Sequence, residues 1–200
     1  KNMTGHPFRA SNFEFGVSKF SKVQLNSEPI QFIKEESKEK EMGVNYFNRN
    51  ERDTKFVLFE YLNIAQLLQY DRYKDFSQED FEMIIQEALK VCREVLGPTM
   101  QDGDREGCRY EEGKVSVPES FHACWKVMAE NGWISMSGNP EMGGQGLPAS
   151  LSGLVSEFFV GANMSMMTYP GLTSANAEVI AHYGTDLDRA MFVEKLNTGV

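Results

Sequence analysis

Apolar residues recur at three- and four-residue spacing over much of the chain after residue 53, which is the pattern of amphipathic helices. The clearest such run opens with Ser77 and Asp80, a variant of the capping box. Its apolar positions are Phe81, Ile84, Ile85, Ala88, Cys92, Val95 and Leu96. Because Gly97 and Pro98 follow directly, we expect the helix to end there. A shorter amphipathic stretch, residues 53–68, precedes it.

A β-hairpin and a further helix are predicted in the middle of the chain. The stretch QDGDREG, residues 101–107, is expected to be a solvated acidic linker. In the following segment, CRYEEGKVSV, the central Glu112 and Gly113 are typical of a hairpin turn, so two short strands are expected within residues 108–117. Pro118 fits the first turn of a helix that runs to about Asn131.

Glycine- and proline-rich segments divide the second half of the chain. The loop SGNPEMGGQGLPAS, residues 137–150, is too rich in both residues to continue a helix. Helices are expected from Ser150 or Ser152 to about Asn163, over residues 173–183 after the segment MSMMTYPGLT, and from the caps Thr185 and Asp188 to Leu196. The pattern therefore predicts an all-α fold, a bundle of six helices with one small β-hairpin.

The pattern also suggests three parts of unequal character. Residues 1–41 mix isolated aromatic residues with polar ones and end in a run of charges, so we expect an extension that is disordered or packs on a separate surface. Residues 42–75 are expected to form a helical lead-in, and residues 76–200 the main helical domain.

Composition excludes several classes of function. The chain has 200 residues, 41% of them hydrophobic, and a formal net charge of -9 with scattered basic residues, which argues against nucleic-acid binding. No apolar run is long enough to cross a membrane, and the first residues lack the apolar core of a secretory signal. We therefore expect a cytoplasmic protein.

Metal and nucleophile chemistry find little support in the sequence. Cys92, Cys108 and Cys124 lack the paired spacing of a zinc site or a redox dithiol, and the histidines form no ligand cluster. The alternating acidic residues of residues 102–106 are unlike a calcium loop, because the twelfth position carries Gly113 in place of glutamate. We expect no metal, and we expect Cys92 and Cys124 to be buried.

Four segments follow one another in a familiar order: EGCRYEEGKVSVPESFHACWKVMAENGW, PEMGGQGLP, GANMSMMTYPGLT and AHYGTDLDRAMFVEKLNTG. Together they resemble the N-terminal helical domain of the acyl-CoA dehydrogenase family. The resemblance covers about residues 44–199. It is most similar to the long bacterial branch, in which a stretch like YFNRNERDTKFVLFEYLNIAQLL precedes the usual domain.

The resemblance implies an FAD-dependent oxidoreductase that converts an acyl-CoA thioester to the trans-2-enoyl-CoA. It also implies an electron-transfer flavoprotein or similar acceptor and a homo-oligomeric complete enzyme. The family's β-rich middle domain and C-terminal helical domain have no counterpart in these residues. Most flavin contacts and the catalytic glutamate belong to those domains, so no catalytic residue is assigned in this chain, its flavin contacts are unknown, and it is expected to be inactive alone.

The resemblance places one wall of the acyl pocket in this chain. The positions that match it are Asn163, Met164, Met167, Thr168 and Leu172. Methionines suit a pocket for flexible chains, although a methionine-rich helix end also suits a protein core, where Met166 is expected. The glycines of the PEMGGQGLP loop are interpreted as tight-turn residues near the flavin or a neighbouring domain, since a phosphate-binding loop would follow a strand.

A second class of function remains open from composition alone. The chain is also compatible with a non-catalytic helical module that binds a partner through its apolar faces. Flavin absorbance of the complete protein distinguishes the two possibilities.

Overall fold

The structure is a computed structural model that describes residues 45–200; the expectation for residues 1–41 lies outside the described residues. The helical segments are α1 (Glu51–Lys55, continued as a π-helical turn Phe56–Tyr61), a 3-10 helix (Ile64–Gln69), α2 (Gln78–Val91, Cys92–Leu96 and Gly97–Arg105), α3 (Glu119–Glu130), a 3-10 turn (Pro140–Met142), α4 (Ala149–Ala162), α5 (Met164–Tyr183) and α6 (Asp186–Asp188, Arg189–Val193 and Glu194–Thr198). The strands are β1 (Arg109–Glu111) and β2 (Lys114–Ser116). The predicted all-α class with one hairpin is confirmed.

Helix α2 begins as predicted but does not end at Gly97. Its capping box is present, with the Asp80 amide 3.1 Å from Ser77 Oγ. The segment Cys92–Leu96 is a π-helical turn, in which the Gly97 amide donates to the carbonyl of Cys92 instead of Arg93. Asn45 Nδ2 donates to the freed Arg93 carbonyl at 3.0 Å.

The wide turn explains why Pro98 does not stop α2. It resets the backbone hydrogen bonds just before the proline, so Pro98 enters the continuing segment Gly97–Arg105 near its start, where a missing N–H is tolerated. The predicted acidic linker is therefore wrong for residues 101–105, which are helical. Asp102 there accepts a hydrogen bond from the Ser120 hydroxyl at 2.7 Å.

Helix α5 is a second departure from the sequence prediction. Residues 164–172 were expected to be non-helical, yet one helix covers Met164–Tyr183 and includes Pro170. Met166, Pro170 and Ala177 are buried and share the face that packs on the rest of the domain. Burial of this face therefore outweighs the cost of a proline inside the helix.

Three other local predictions have clear outcomes. The hairpin is confirmed, with Glu112 and Gly113 in the left-handed region and Tyr110 paired with Val115. The capping box of Thr185 and Asp188 at the start of α6 is confirmed as well. Residues 53–68 were expected to be one amphipathic stretch, but the left-handed Asn63 separates α1 from the 3-10 helix.

The core lies between α2, α3 and α4, with the Trp133 region closing one end. Phe81, Leu89, Val95, Met128, Leu151 and Phe159 are among its fully buried side chains. The indole of Trp133 meets the ring of Phe159 edge to face, with ring centres 5.3 Å apart. Such aromatic pairs add to the free energy gained from apolar burial.

The lead-in segment docks on this core through apolar side chains, with Leu58 and Ile64 buried in it, and through charged residues as well. Arg93 of α2 donates to Glu51 at 2.6 Å, and this hydrogen bond lowers the pKa of Glu51. Arg49 forms an ion pair with Glu157 at 2.6 Å, and its guanidinium lies over the Phe158 ring. Because these pairs are partly exposed, each contributes at most about 1 kcal/mol to stability.

The thiols provide a simple test of the fold. Burial raises the pKa of both Cys92 and Cys124 to about 12, whereas Cys108 is exposed beside β1. The thiolate is the reactive form, so at pH 8 we expect Ellman's reagent to label one thiol rapidly. The other two are expected to react only after unfolding. Cys108→Ser should abolish the rapid phase, and rapid labelling of more than one thiol would contradict this packing.

Candidate functional site

The glycine-rich loop is folded on itself and has few free donors. The amides of Gln145, Gly146 and Leu147 donate to the carbonyls of Ser135, Gly138 and Met136 at 2.9, 3.0 and 2.9 Å. Gly143 and Gly146 have positive φ angles, which agrees with their interpretation as turn residues. Because these amides are already paired, the loop does not form a phosphate cradle.

The same loop is attached to the last helix. Asn197 Nδ2 donates to the carbonyl of Met142 at 2.8 Å, and Asn197 is buried. A Cβ placed on Gly143 would lie 3.0 Å from Thr198 Cγ2, so loop and helix are in close contact. The loop is therefore a fixed part of the domain surface next to α6.

Residue Asn163 alone joins α4 to α5. Its amide closes α4 by donating to the Phe159 carbonyl at 2.9 Å, and its side-chain oxygen accepts from the Met166 amide at 3.0 Å. Its side-chain nitrogen donates to Thr99 Oγ1 at 3.1 Å and faces the Leu96 carbonyl at 3.4 Å. Asn163 is 1% exposed, so the structure places it beneath the predicted acyl wall as the N-cap of α5.

Three of the other predicted wall residues share one outer face of α5. Met164, Thr168 and Leu172 are four residues apart, and Met164 and Leu172 are 61% and 68% exposed. Gly171 lies on this face with open space where a Cβ would be. The Thr168 hydroxyl donates back to the Ser165 carbonyl at 2.8 Å, which leaves its oxygen able to accept a hydrogen bond.

Met167 lies at the flank of this face and packs partly against the core, while Met166 is fully buried as predicted. Tyr169 meets the Phe121 ring edge to face at 6.2 Å. Burial, together with a hydrogen bond to Cys108, raises the pKa of Tyr169. The predicted set thus divides into an exposed trio, a half-buried methionine and a buried cap.

The outer face of α5 is chemically uniform. No charged residue occurs from residue 158 to residue 177, so its first four turns offer only apolar and small polar side chains. Such a surface suits an apolar acyl chain or the packed surface of another protein segment. A charged headgroup would find no partner on it.

Other candidate sites are less well defined. A cleft of about 680 Å³ lies between residues 71–76 and the glycine-rich loop, and both basic and acidic side chains line it, including Arg72, Lys74, Asp75 and Glu141. Within residues 45–200, no three histidine, cysteine or carboxylate side chains are grouped so that they could hold a metal ion. No helix in the same range has both the length and the apolar character of a membrane span.

The family of this chain follows from its match to a protein-family model. The family model described as the acyl-CoA dehydrogenase N-terminal domain matches residues 78–200, more than half of the chain. The chain belongs to the acyl-CoA dehydrogenase family. The resemblance found in the sequence is thereby confirmed.

Several acyl-CoA dehydrogenases are similar to this chain over most of its length. A 3-methylmercaptopropionyl-CoA dehydrogenase of Ruegeria pomeroyi is 30% identical over 148 residues, 74% of this chain and 25% of that protein. A butyryl-CoA dehydrogenase of Syntrophomonas wolfei is 29% identical, again over 74% of this chain and 25% of that protein. A broad-specificity linear acyl-CoA dehydrogenase of Mycobacterium tuberculosis is 26% identical over 72% of this chain and 24% of that protein. The chain therefore spans about a quarter of the length of these dehydrogenases.

In this member of the acyl-CoA dehydrogenase family, Thr99 contacts the cap of α5, although no sequence signal indicated it as a site residue. Thr99 is 2% exposed, and its hydroxyl also donates to the Leu96 carbonyl at 3.0 Å. The sequence predicts that α2 ends at Gly97, and a threonine just beyond a helix end suggests a solvated turn. The burial of Thr99 was therefore not predicted. A helix continued past Pro98 would have placed Thr99 on the buried face with Val95 and Leu96.

Proposed function

We propose that this chain is the N-terminal part of an FAD-dependent dehydrogenase that oxidises an acyl-CoA thioester to the trans-2-enoyl-CoA. In this proposal the outer face of α5 forms one wall of the acyl pocket. Family membership and the uncharged, exposed face at Met164, Thr168 and Leu172 support it. Residues 42–75 serve as a lead-in to the domain, and the acceptor of electrons is an electron-transfer flavoprotein or a similar protein.

Neither the glycine-rich loop nor the outer face of α5 offers a site for the flavin pyrophosphate. The amides of the glycine-rich loop are paired within the loop, and the uncharged face of α5 offers nothing to a pyrophosphate. In the complete enzyme FAD would supply the hydride acceptor, held mostly by residues outside this chain. The catalytic base is likewise assigned to none of the residues of this chain.

The contribution of α5 is to exclude water and to hold the acyl chain in place. Each methylene that leaves water for an apolar wall contributes about 0.8 kcal/mol to binding. Met164 and Met167 have unbranched, flexible side chains that adjust to a moving hydrocarbon. The position of the acyl chain in the pocket would then depend on how much volume these two side chains fill.

The test is to enlarge the wall in the flavin-loaded full-length enzyme. Met167→Phe is expected to shorten the acyl chains accepted, because a close-packed pocket cannot take added volume without displacing the ligand. The kcat/KM ratio between substrates differing by two carbons is expected to change about tenfold or more. Rates over an even-numbered acyl-CoA series measure it.

Two control variants accompany this experiment. Met83→Phe makes the same change at a half-buried position near the start of α2, and Ser152→Ala alters a buried residue in the first turn of α4. Ser152 and Met167 lie in successive helices, α4 and α5. Both controls should leave the chain-length profile unchanged. An unchanged profile for Met167→Phe, with flavin absorbance retained, would place Met167 in the core; a colourless full-length protein would favour the helical interaction module.

A further inference from the structure

We propose that Thr99 is a positioning residue for the acyl wall, through the side chain of Asn163. The inference rests on the proposed function, in which Thr99 would fix the position of the first turn of α5 relative to α2. Thr99 does not lie on the outer face of α5; it belongs to α2 and is 2% exposed.

The junction between α4 and α5 is short and restricts the orientation of the first turn of α5. Asn163 alone separates the two helices, and its extended backbone (φ -157°, ψ 92°) turns the chain. Its side-chain oxygen and its carbonyl accept from the amides of Met166 and Met167 at 3.0 and 3.1 Å. The amide group of one buried side chain therefore sets where the first turn of α5 begins.

The orientation of that amide group depends on α2. Asn163 Nδ2 donates to Thr99 Oγ1 at 3.1 Å, and its second contact, the Leu96 carbonyl, is longer at 3.4 Å. The Thr99 hydroxyl uses its own proton toward the Leu96 carbonyl at 3.0 Å, so its oxygen is free to accept from Asn163. Cys124 Sγ lies 3.4 Å from the same hydroxyl and fills the remaining space.

Direct packing reinforces this connection. A Cβ placed on Gly103 of α2 would lie 3.4 Å from Ser165 Cβ, so the two helices approach closely just beyond the hydrogen bonds. Ser165 lies between the exposed Met164 and the buried Met166. A shift of Asn163 would therefore move Met164, Met167 and Thr168 together relative to α2.

The test uses three variants in the flavin-loaded full-length protein. Thr99→Val keeps the branched shape and removes the hydroxyl, whereas Thr99→Ser keeps the hydroxyl. Asn163→Ser keeps a side chain that can cap α5 but is too short to reach Thr99. Thr54→Val is the matched control, because Thr54 is equally buried and donates to a backbone carbonyl, that of Asn50, in the distant α1.

Two quantities are measured for each variant. Hydrogen exchange of the Met166 and Met167 amides reports how stably the first turn of α5 is hydrogen-bonded, and it does not depend on activity. The kcat/KM ratio across an acyl-CoA series reports the shape of the wall. Thr99→Val and Asn163→Ser are each expected to raise the exchange rate, and to change the kcat/KM ratio, by about fivefold, which is the effect of one lost hydrogen bond. The double variant should show no larger effect on either quantity than each single variant. Thr99→Ser and Thr54→Val should leave both within about twofold.

The outcomes separate this inference from the proposed function. Unchanged exchange in Thr99→Val or, if that variant does not fold, in Asn163→Ser would overturn the inference. Faster exchange with an unchanged acyl-chain profile would also overturn it, provided that Met167→Phe shifts the profile. If Met167→Phe leaves the profile unchanged as well, the proposed acyl wall itself is wrong.

Discussion

Gly144→Ala is expected to destabilise the protein by about 3 kcal/mol or more, because the added methyl group would overlap backbone atoms. An ideal Cβ on Gly144 would lie 2.6 Å from Gly138 Cα and closer still to the Gly138 carbonyl. The two chain segments that meet there, residues 135–138 and 144–147, cannot separate without losing the hydrogen bonds donated by the Gln145, Gly146 and Leu147 amides. Urea denaturation followed by circular dichroism measures the free energy of unfolding.

The control for Gly144 is a glycine with free space around it. Gly161 lies in α4 with nothing within 4 Å of its would-be Cβ. Gly161→Ala is expected to stabilise the protein by up to about 1 kcal/mol, since alanine favours helices and reduces the freedom of the unfolded chain. A Gly144→Ala variant as stable as wild type would mean that the loop is not rigid.

Phe159→Ala is expected to lower the free energy of unfolding by about 4 kcal/mol, the typical effect of removing a fully buried aromatic ring. Phe159 is 0% exposed in α4 and meets the Trp133 indole edge to face. The variant loses apolar burial and the ring contact with Trp133, and it leaves a cavity in the core. The midpoint of urea denaturation measures the change, and near-ultraviolet circular dichroism reports the altered packing of the aromatic side chains.

Phe56→Ala makes the same chemical change at the surface. Phe56 is 45% exposed in α1, and its partner is the Arg52 guanidinium 5.7 Å from the ring centre. Its loss is expected to cost below about 1 kcal/mol. If Phe56→Ala proved as destabilising as Phe159→Ala, the division between core and surface described above would be wrong.

The periodic parts of the chain were predictable from sequence, and the departures share a cause. Ser77 and Thr185 begin helices as expected, because a side-chain cap and the following apolar period are local signals. Pro98 and Pro170 each predict a break in a helix, yet both lie inside helices. Long-range contacts support both helices: Asn45 donates to the Arg93 carbonyl that the wide turn before Pro98 leaves free, and the Pro170 ring is buried.

The candidate site was predictable only in part. Spacing places Met164, Thr168 and Leu172 on one face once the helix is known, and the family resemblance indicated the segment. The burial of Asn163 and its contact with Thr99 were not predictable, because they join residues 64 positions apart in the sequence. Nothing local in either residue signals that pairing.

The π-helical turn at Cys92–Leu96 has a consequence for how the length of α2 can vary. A π turn contains one residue more than the α-helix needs for the same path, so deleting any one of these residues could restore an ordinary helix. The ordinary helix would follow nearly the same path, so Thr99 would stay beside Asn163 and Gly103 beside Ser165. A deletion in the α-helical part of α2 before this turn would instead rotate the helix before it relative to the rest by about 100° and shift it by about 1.5 Å. The π turn is therefore a position at which α2 can lose a residue and keep its anchor for α5.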